Sequence, residues 1–364
     1  MRLKRFSSIS ETERAYAAEA MHEPLSGYLA GKPRGGKYVC MLEDEWQKTF
    51  HVKHAIACNS ATSGLLAAAF AVGLGPGDRF LCPAMTMSAT VAAPMFTGAK
   101  PLFCDVDPHY FALSPKEAST EVKAVFLTHL FGLGIDESWW RGWTRQNAIK
   151  LIIDAAQAPF ATEDGKYAGT IGDIGVFSLN VHKPLQCGEG GVIVTQDDAL
   201  AERMRGFINH SEAAGGPIGL NLRMPEISAA VALGQLWRAE EIMASRVEQA
   251  EAILDAIGDI PGLRRPVVRK DCTHVYYAIP FLTDVRERFC ASLSAAGVPI
   301  TLGYVPPLYR LPAFAAYARQ CPIAESLHDE RLFYIENCNW TFDKIAINQI
   351  GDAFKRAAEE TWKS

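Results

Sequence analysis

Between residues 53 and 197 the chain repeats one pattern: a short, almost uniformly apolar run, a small-residue or polar break, and often a helix-like segment. The runs are KHAIACNS (53–60), DRFLCPAM (78–85), KPLFCDVD (100–107), KAVFLTHLFG (123–132), AIKLIIDAAQA (148–158), DIGVFSLN (173–180) and GGVIVTQD (190–197). A strand with one wet face alternates apolar and polar residues; one without alternation is buried on both faces. Between runs, SGLLAAAFAVGL (63–74) reads as a helix stopped by Gly75-Pro76-Gly77, and SATVAAPMFTGA (88–99) as another. The expected class is α/β, a mostly parallel sheet covered by helices.

From Glu226 the texture changes. Residues 226–257 carry no interior proline and read as one long helix, begun just after Met224-Pro225. A smaller α+β region follows from about Gly262, with strand-like HVYYAIPFL (274–282), helix-like RERFCASLSAAG (286–297) and a closing helix over 347–362. We therefore expect a large domain over 1–240 and a small C-terminal domain over 241–364, joined by the long helix. No internal repeat or low-complexity segment interrupts this plan.

Composition bounds the function. The net charge of −5 disfavours nucleic acid and acidic membranes as partners. Nine cysteines are scattered singly with no CxxC spacing, which argues against zinc ribbons, suggests no metal site and suits a reducing cytoplasm. The basic start MRLKRFSSIS is not followed by an apolar stretch, so a signal peptide is not expected, and no run of apolar residues is long enough to predict a membrane span.

Three places carry candidate chemistry. In CNSATSGLL, Thr62 and Ser63 stand at a strand-to-helix turn, where free N–H groups and the helix dipole favour an anion; the alternative is an ordinary N-cap. In LIIDAAQA, Asp154 closes an apolar strand, where α/β sheets place ligands, with Gln157 three residues on; the alternative is a carboxylate capping the next helix. In DIGVFSLNVHKPLQCGEGG, Ser178 and Lys183 follow another strand end. A partly desolvated amine there loses proton affinity and becomes nucleophilic, whereas the ordinary reading is a surface lysine beside a glycine turn. Each signal is weak alone. Together, an anion site, a serine, a buried carboxylate and a lysine match the phosphate, pyridine nitrogen and aldehyde of pyridoxal 5′-phosphate (PLP).

In this order the segments resemble the DegT/StrS sugar aminotransferases, of the aspartate-aminotransferase-like fold (fold type I). The resemblance runs over nearly the whole chain: residues 52–90 resemble the phosphate-binding turn and following strand, 98–115 the next strand and loop, IIDAAQA the Asp-x-x-Gln element, and Phe177-Ser178 with Lys183 after four intervening residues the lysine segment. It implies that Lys183 holds PLP covalently, that Asp154 pairs with the pyridine nitrogen, that Gln157 lies near the ring hydroxyl, and that Thr62, Ser63 and Ser178 bind phosphate. GLNLRMPE resembles the segment whose asparagine reaches the neighbouring subunit's cofactor, so Asn221 implies a homodimer with shared active sites.

The implied reaction moves an amino group from an amino acid, L-glutamate by resemblance, to a keto sugar, nucleotide-linked in most of the family, in amino-sugar biosynthesis. The alternatives are a dehydratase or an aminocyclitol-forming transaminase of the same family, and a non-catalytic PLP-binding regulator. A dehydrogenase lacks its glycine-rich first turn. The dehydratase branch replaces the lysine with histidine; counted from Phe177-Ser178 the position falls on Lys183, not His182. Residues 297–314 are expected at the mouth of the site, with His182, Tyr304, Tyr309 and Arg310 as candidate acceptor contacts; packing is the alternative for each. Three departures stand out: Ala61 where the family has glycine, Met87 where an aromatic ring stacks on PLP, and LFYIENCNWTF (332–342) without the family's Leu-Pro step.

Overall fold

The computed structural model describes residues 3–28, 34–211 and 218–362. Seven strands form the central sheet: β1 (His54–Cys58), β2 (Arg79–Pro83), β3 (Lys100–Cys104), β4 (Ala124–Thr128), β5 (Lys150–Asp154), β6 (Ile174–Ser178) and β7 (Gly191–Thr195), in spatial order β1-β7-β6-β5-β4-β2-β3. From β6 to β3 every neighbour is parallel. Strand β7 runs against both β6 and β1. The apolar runs thus give the mostly parallel sheet that their lack of alternation requires.

Both faces are covered. On one, Ala55, Ala57, Leu151, Ile153 and Phe177 pack with Tyr38, Leu42, Trp46 and Phe50 of α2 (Lys37–Phe50), near α1 (Glu11–Ala20). On the other, Ile56, Cys58, Phe126, Ile152 and Val176 pack with Leu65, Ala67 and Ala68 of α3 (Ala61–Ala71), beside α4 (Ser88–Met95) and α6 (Asp198–Ile208). Helix α5 (Glu137–Gln146) precedes β5. Successive residues of one strand serve opposite faces, as a doubly covered pleat demands.

The predicted helix over 226–257 is two helices. α7 (Glu226–Trp237) stops at Arg238, which leaves helical geometry at φ −105°, ψ 12°, and α8 (Ala239–Ile257) restarts there. No proline causes the break. Arg238 is drawn sideways, donating to Ser8 O, Ser10 Oγ and the buried Glu13 carboxylate of the N-terminal segment. Helix α8 still joins two cores: Ala239, Ile242 and Met243 pack with the central sheet, whereas Ala250, Ile253 and Ile257 pack with a second cluster.

That second cluster surrounds an antiparallel sheet of order β8-β10-β9, from β8 (Ile279–Leu282), β9 (Ile300–Leu302) and β10 (Leu332–Ile335). Helices α9 (Arg286–Ala295) and α11 (Lys344–Trp362) cover it, and the short α10 (Pro322–Ser326) lies between β9 and β10. Of HVYYAIPFL only the second half is strand. Residues Lys4–Arg5 pair with Trp340–Thr341, tying the start of the chain to its C-terminal region. Among the described residues no helix is long and apolar enough to cross a membrane, and none of the nine cysteines is disulfide-bonded.

Strands β4, β5 and β6 end at Thr128, Asp154 and Ser178, and α3 starts three residues after β1. Parallel strands point these ends the same way, so the topology alone gathers these side chains at one sheet edge.

Candidate active site

A cavity of about 530 Å³ opens at that edge. Its wall includes Thr62, Met87, Asp154, Gln157, Ser178 and Lys183. His182 and Tyr304 line it as well.

Lys183 sits in the connection from β6 to β7. Leu179 N–H donates to Gly190 O (2.9 Å), Val181 N–H to Gly188 O (2.8 Å) and Lys183 N–H to Asn180 O (2.8 Å), so the connection is a closed turn that fixes the lysine's root. Gly188 takes the left-handed conformation (φ 86°) that this turn needs. Gly191 is required for space: a Cβ there would lie 2.7 Å from the amide nitrogen of Ala61. The amine of Lys183 lies 4.6 Å from the centre of the Tyr277 ring, a cation–π distance. Burial pushes its pKa down to about 8, against the pull of the Asp154 charge.

Asp154 is 4% exposed. Its Oδ2 accepts from Thr90 Oγ1 (2.6 Å) and its Oδ1 from the Ala156 amide (3.1 Å). Burial raises its pKa; Thr90, the Ala156 N–H, and the charges of Lys183 and His129 work to keep it ionised. Thr90 is itself held by Thr86 (2.9 Å), which touches Thr128 (3.2 Å). A carboxylate aimed into a cavity and braced from behind by hydroxyls is more than a helix cap.

At the start of α3 the N-cap is Ser60, whose Oγ accepts from the Ser63 amide (3.1 Å). Ser63 Oγ donates to Asn59 Oδ1 (2.6 Å), and Ser63 is not part of the cavity wall, whereas Ser60, Ala61 and Thr62 are. The amides of Ala61 and Thr62 have no acceptor among the described residues, so they remain for an anion. Gln157 Oε1 accepts from the Phe131 amide (2.7 Å) and its Nε2 donates to Tyr304 Oη (3.0 Å), which braces both at the wall.

Besides Ser63, three predicted residues lie away from the cavity wall. Tyr309 is buried, with its hydroxyl donating to Glu325 and accepting from the Cys321 amide. Arg310 forms ion pairs with Asp329 (2.8 Å) and Glu325 (3.4 Å). Both acids follow within twenty residues of Arg310, so the loop folds back on itself instead of facing the cavity. Asn221 accepts from Arg223 Nε (2.9 Å) and does not reach its own chain's cavity; part of the glycine-bearing loop before it lies outside the described residues.

The structure adds Ser60, Asn180, Glu189, Tyr277, Glu336 and Asn339 to the wall. Ser60 was legible as the hydroxyl immediately before a helix. Tyr277, Glu336 and Asn339 carry no local signal, because the chain returns to the site from a different sheet.

Comparison with known proteins decides what such a site belongs to. The sequence profile of the DegT/DnrJ/EryC1/StrS aminotransferase family matches residues 18–334. The chain belongs to this family. Among its relatives, a GDP-perosamine synthase of Caulobacter vibrioides is 32% identical over 78% of this chain and 80% of its own length. A UDP-2-acetamido-2-deoxy-3-oxo-D-glucuronate aminotransferase of Pseudomonas aeruginosa is 32% identical over 80% and 83%. Among solved structures, S. venezuelae DesV in complex with a ketimine intermediate superposes with a TM-score of 0.87 at 26% identity, covering 95% of this chain and 94% of that one.

The chain is an aminotransferase of fold type I, and its cofactor is PLP. The residues present fit that group. An amine of lowered pKa, a braced buried carboxylate and two orphan amides surround one cavity large enough for a small ligand.

The lowered pKa has a direct consequence. A depressed lysine pKa means that the neutral, reactive form is already half-populated near pH 8, instead of near 10.5. In the cofactor-free protein, competitive amine labelling should give Lys183 a midpoint near 8, with exposed lysines titrating about two units higher. Asp154→Asn should lower the midpoint further, since it removes the charge that favours the ammonium form. A Lys183 midpoint above 10 would contradict the desolvated amine.

Proposed function

We propose that this aminotransferase takes an amino group from an amino acid, L-glutamate first among candidates, and delivers it to a nucleotide-linked keto sugar in amino-sugar biosynthesis. The observation that carries the reading is Lys183 and Asp154 on one cavity wall, in a chain whose relatives are named for perosamine synthesis and for amination of a 3-oxo-glucuronate. We place the reaction in the cytoplasm, in a homodimer, with a large domain over 1–240 and a small one over 241–364.

When bound, PLP supplies the carbonyl that exchanges the amino group and the ring that absorbs negative charge. Lys183 is the residue to hold it, with Asp154 opposite the pyridine nitrogen. Thr62, Ser178 and the amides of Ala61 and Thr62 suit its phosphate, Gln157 its ring hydroxyl, and Met87 a ring face, where a polarisable thioether replaces an aromatic. Ser63 acts behind them, fixing the turn through Asn59.

The chain's own work is proton management. Lys183 Nζ, neutral in a useful fraction at pH 7–8, takes a proton from the donor's α-carbon and returns it within the same cavity. Thr90 Oγ1 and the Ala156 amide favour the ionised form of Asp154 against the upward push of burial, and that form would hold a positive charge where electrons must flow. The Tyr277 ring over the amine offers it an apolar face in place of water. His182, exposed at the cavity rim, suits a contact with the acceptor. Donor and acceptor use one cavity in turn, so the kinetics should be ping-pong.

Asp154→Asn removes the charge at nearly constant shape, and kcat should fall about 10²-fold or more. Turnover near wild type would reduce Asp154 to a structural cap.

The dimer rests on Asn221. Its failure to reach its own cavity, and the exposure of Met87 on the cavity wall, support a second copy lying over this face. Lys183→Ala and Asn221→Ala chains, each impaired alone, should regain activity when their subunits exchange, because a two-fold hybrid has one intact site. Exchange without recovery, or a fully active monomer, would contradict shared sites.

A further inference from the structure

The segment over residues 332–342, which lacks the family's Leu-Pro step, sends two residues, Glu336 and Asn339, to the cavity wall. Strand β10 ends at Ile335, and a single 3-10 turn over Asn337–Asn339 follows. Asn337 is buried and anchors the turn: its Nδ2 donates to Arg246 O (2.9 Å) and Tyr276 O (2.8 Å), and its Oδ1 accepts from Gln249 Nε2 (2.8 Å). Glu336 just before the turn and Asn339 at its end line the same cavity as Lys183.

Glu336 is only partly committed. Its Oε1 accepts from Thr301 Oγ1 (3.2 Å) and its Oε2 from Asn339 Nδ2 (2.6 Å). A carboxylate has about four acceptor positions, so about two remain. Beside it an annex of about 50 Å³ is bounded by the rings of Tyr277, Tyr304 and Tyr334. The C-terminal wall of the site therefore offers one oriented carboxylate, one amide and aromatic faces.

Charge narrows what fits. The cavity wall carries the acids Asp154, Glu189 and Glu336; Lys183 is its one lysine, and no arginine lines it among the described residues. A sugar hydroxyl would donate a charge-assisted hydrogen bond to Glu336 and rest its C–H face on a ring. A ring carboxylate at the same place would meet the like charge of Glu336.

We propose that Glu336, oriented by Asn339 and Thr301, accepts a hydrogen bond from a hydroxyl of the acceptor, and that the acceptor is an uncharged keto sugar and not a keto-uronate. This rests on the aminotransferase reading of the cavity.

The test uses the PLP-loaded protein and two probes, a nucleotide-linked keto-deoxyhexose and a nucleotide-linked keto-hexuronate. The donor half-reaction is first read by absorbance with L-glutamate and L-glutamine. Each sugar is then titrated by calorimetry into Lys183→Ala protein loaded with pyridoxamine phosphate, the form that receives the acceptor, so that binding is measured apart from turnover. The neutral sugar should bind at least about tenfold more tightly than the uronate. Glu336→Gln should narrow that ratio at least about fivefold while the donor half-reaction changes less than about twofold. A uronate that binds as well as or better than the neutral sugar, no binding of the neutral sugar, or an unchanged ratio in Glu336→Gln with the half-reaction intact would overturn the assignment. A protein that shows no half-reaction with either donor would overturn the aminotransferase reading itself.

Discussion

An amine and a carboxylate held on the wall of one cavity set the terms for the rest of the molecule. Each loses hydration on burial, so each drifts toward its neutral form: Lys183 down to about 8, Asp154 upward. The surrounding groups decide how far. Asp154 has a hydroxyl and an amide on its two oxygens, whereas among the described residues Lys183 has the face of Tyr277 and the electrostatic pull of Asp154 and Cys338. Bracing opposes the upward drift of Asp154, whereas the lightly braced amine is released toward neutrality. That asymmetry is what amino-group transfer needs, a fixed negative charge beside a base that can gain and lose a proton near neutral pH.

The fold supplies the asymmetry through direction. Parallel strands end together, which brings Thr128, Asp154 and Ser178 to one edge with α3's free amides beside them. The opposite-running β7 returns the chain just after the turn that carries Lys183, and Gly191 lets that return approach α3 closely. The second sheet then closes the cavity from the far side, with Tyr277, Tyr304 and Glu336 contributed by stretches more than ninety residues beyond Lys183. Chemistry sits on the rigid central sheet, and selectivity falls to the later segments.

This division explains what was legible. Apolar runs without alternation disclosed the doubly covered sheet, and Asp154 and Ser178 drew notice because each closes such a run, with Lys183 five residues past the second. Thr62, singled out by the same logic, lines the cavity, whereas Ser63 does not: with three hydroxyls in CNSATSGLL, sequence does not say which caps the helix, and Ser60 does. The break at Arg238 was hidden because its cause is the N-terminal segment, over two hundred residues away. Tyr309 and Arg310 looked like cavity residues by proximity to Tyr304, yet Glu325 and Asp329 claim them. Thr90, Tyr277 and Glu336 left no local mark, since their positions depend on tertiary return and not on periodicity.

The account stands on covalent attachment at one amine. Borohydride reduction of the PLP-loaded protein, followed by peptide mapping, reads that attachment directly. The account predicts a single reduced pyridoxyl adduct on the peptide containing Lys183, lost in Lys183→Ala although that variant still binds PLP weakly through the remaining contacts. An adduct on any other lysine of the wild-type chain, or none at all, would contradict it.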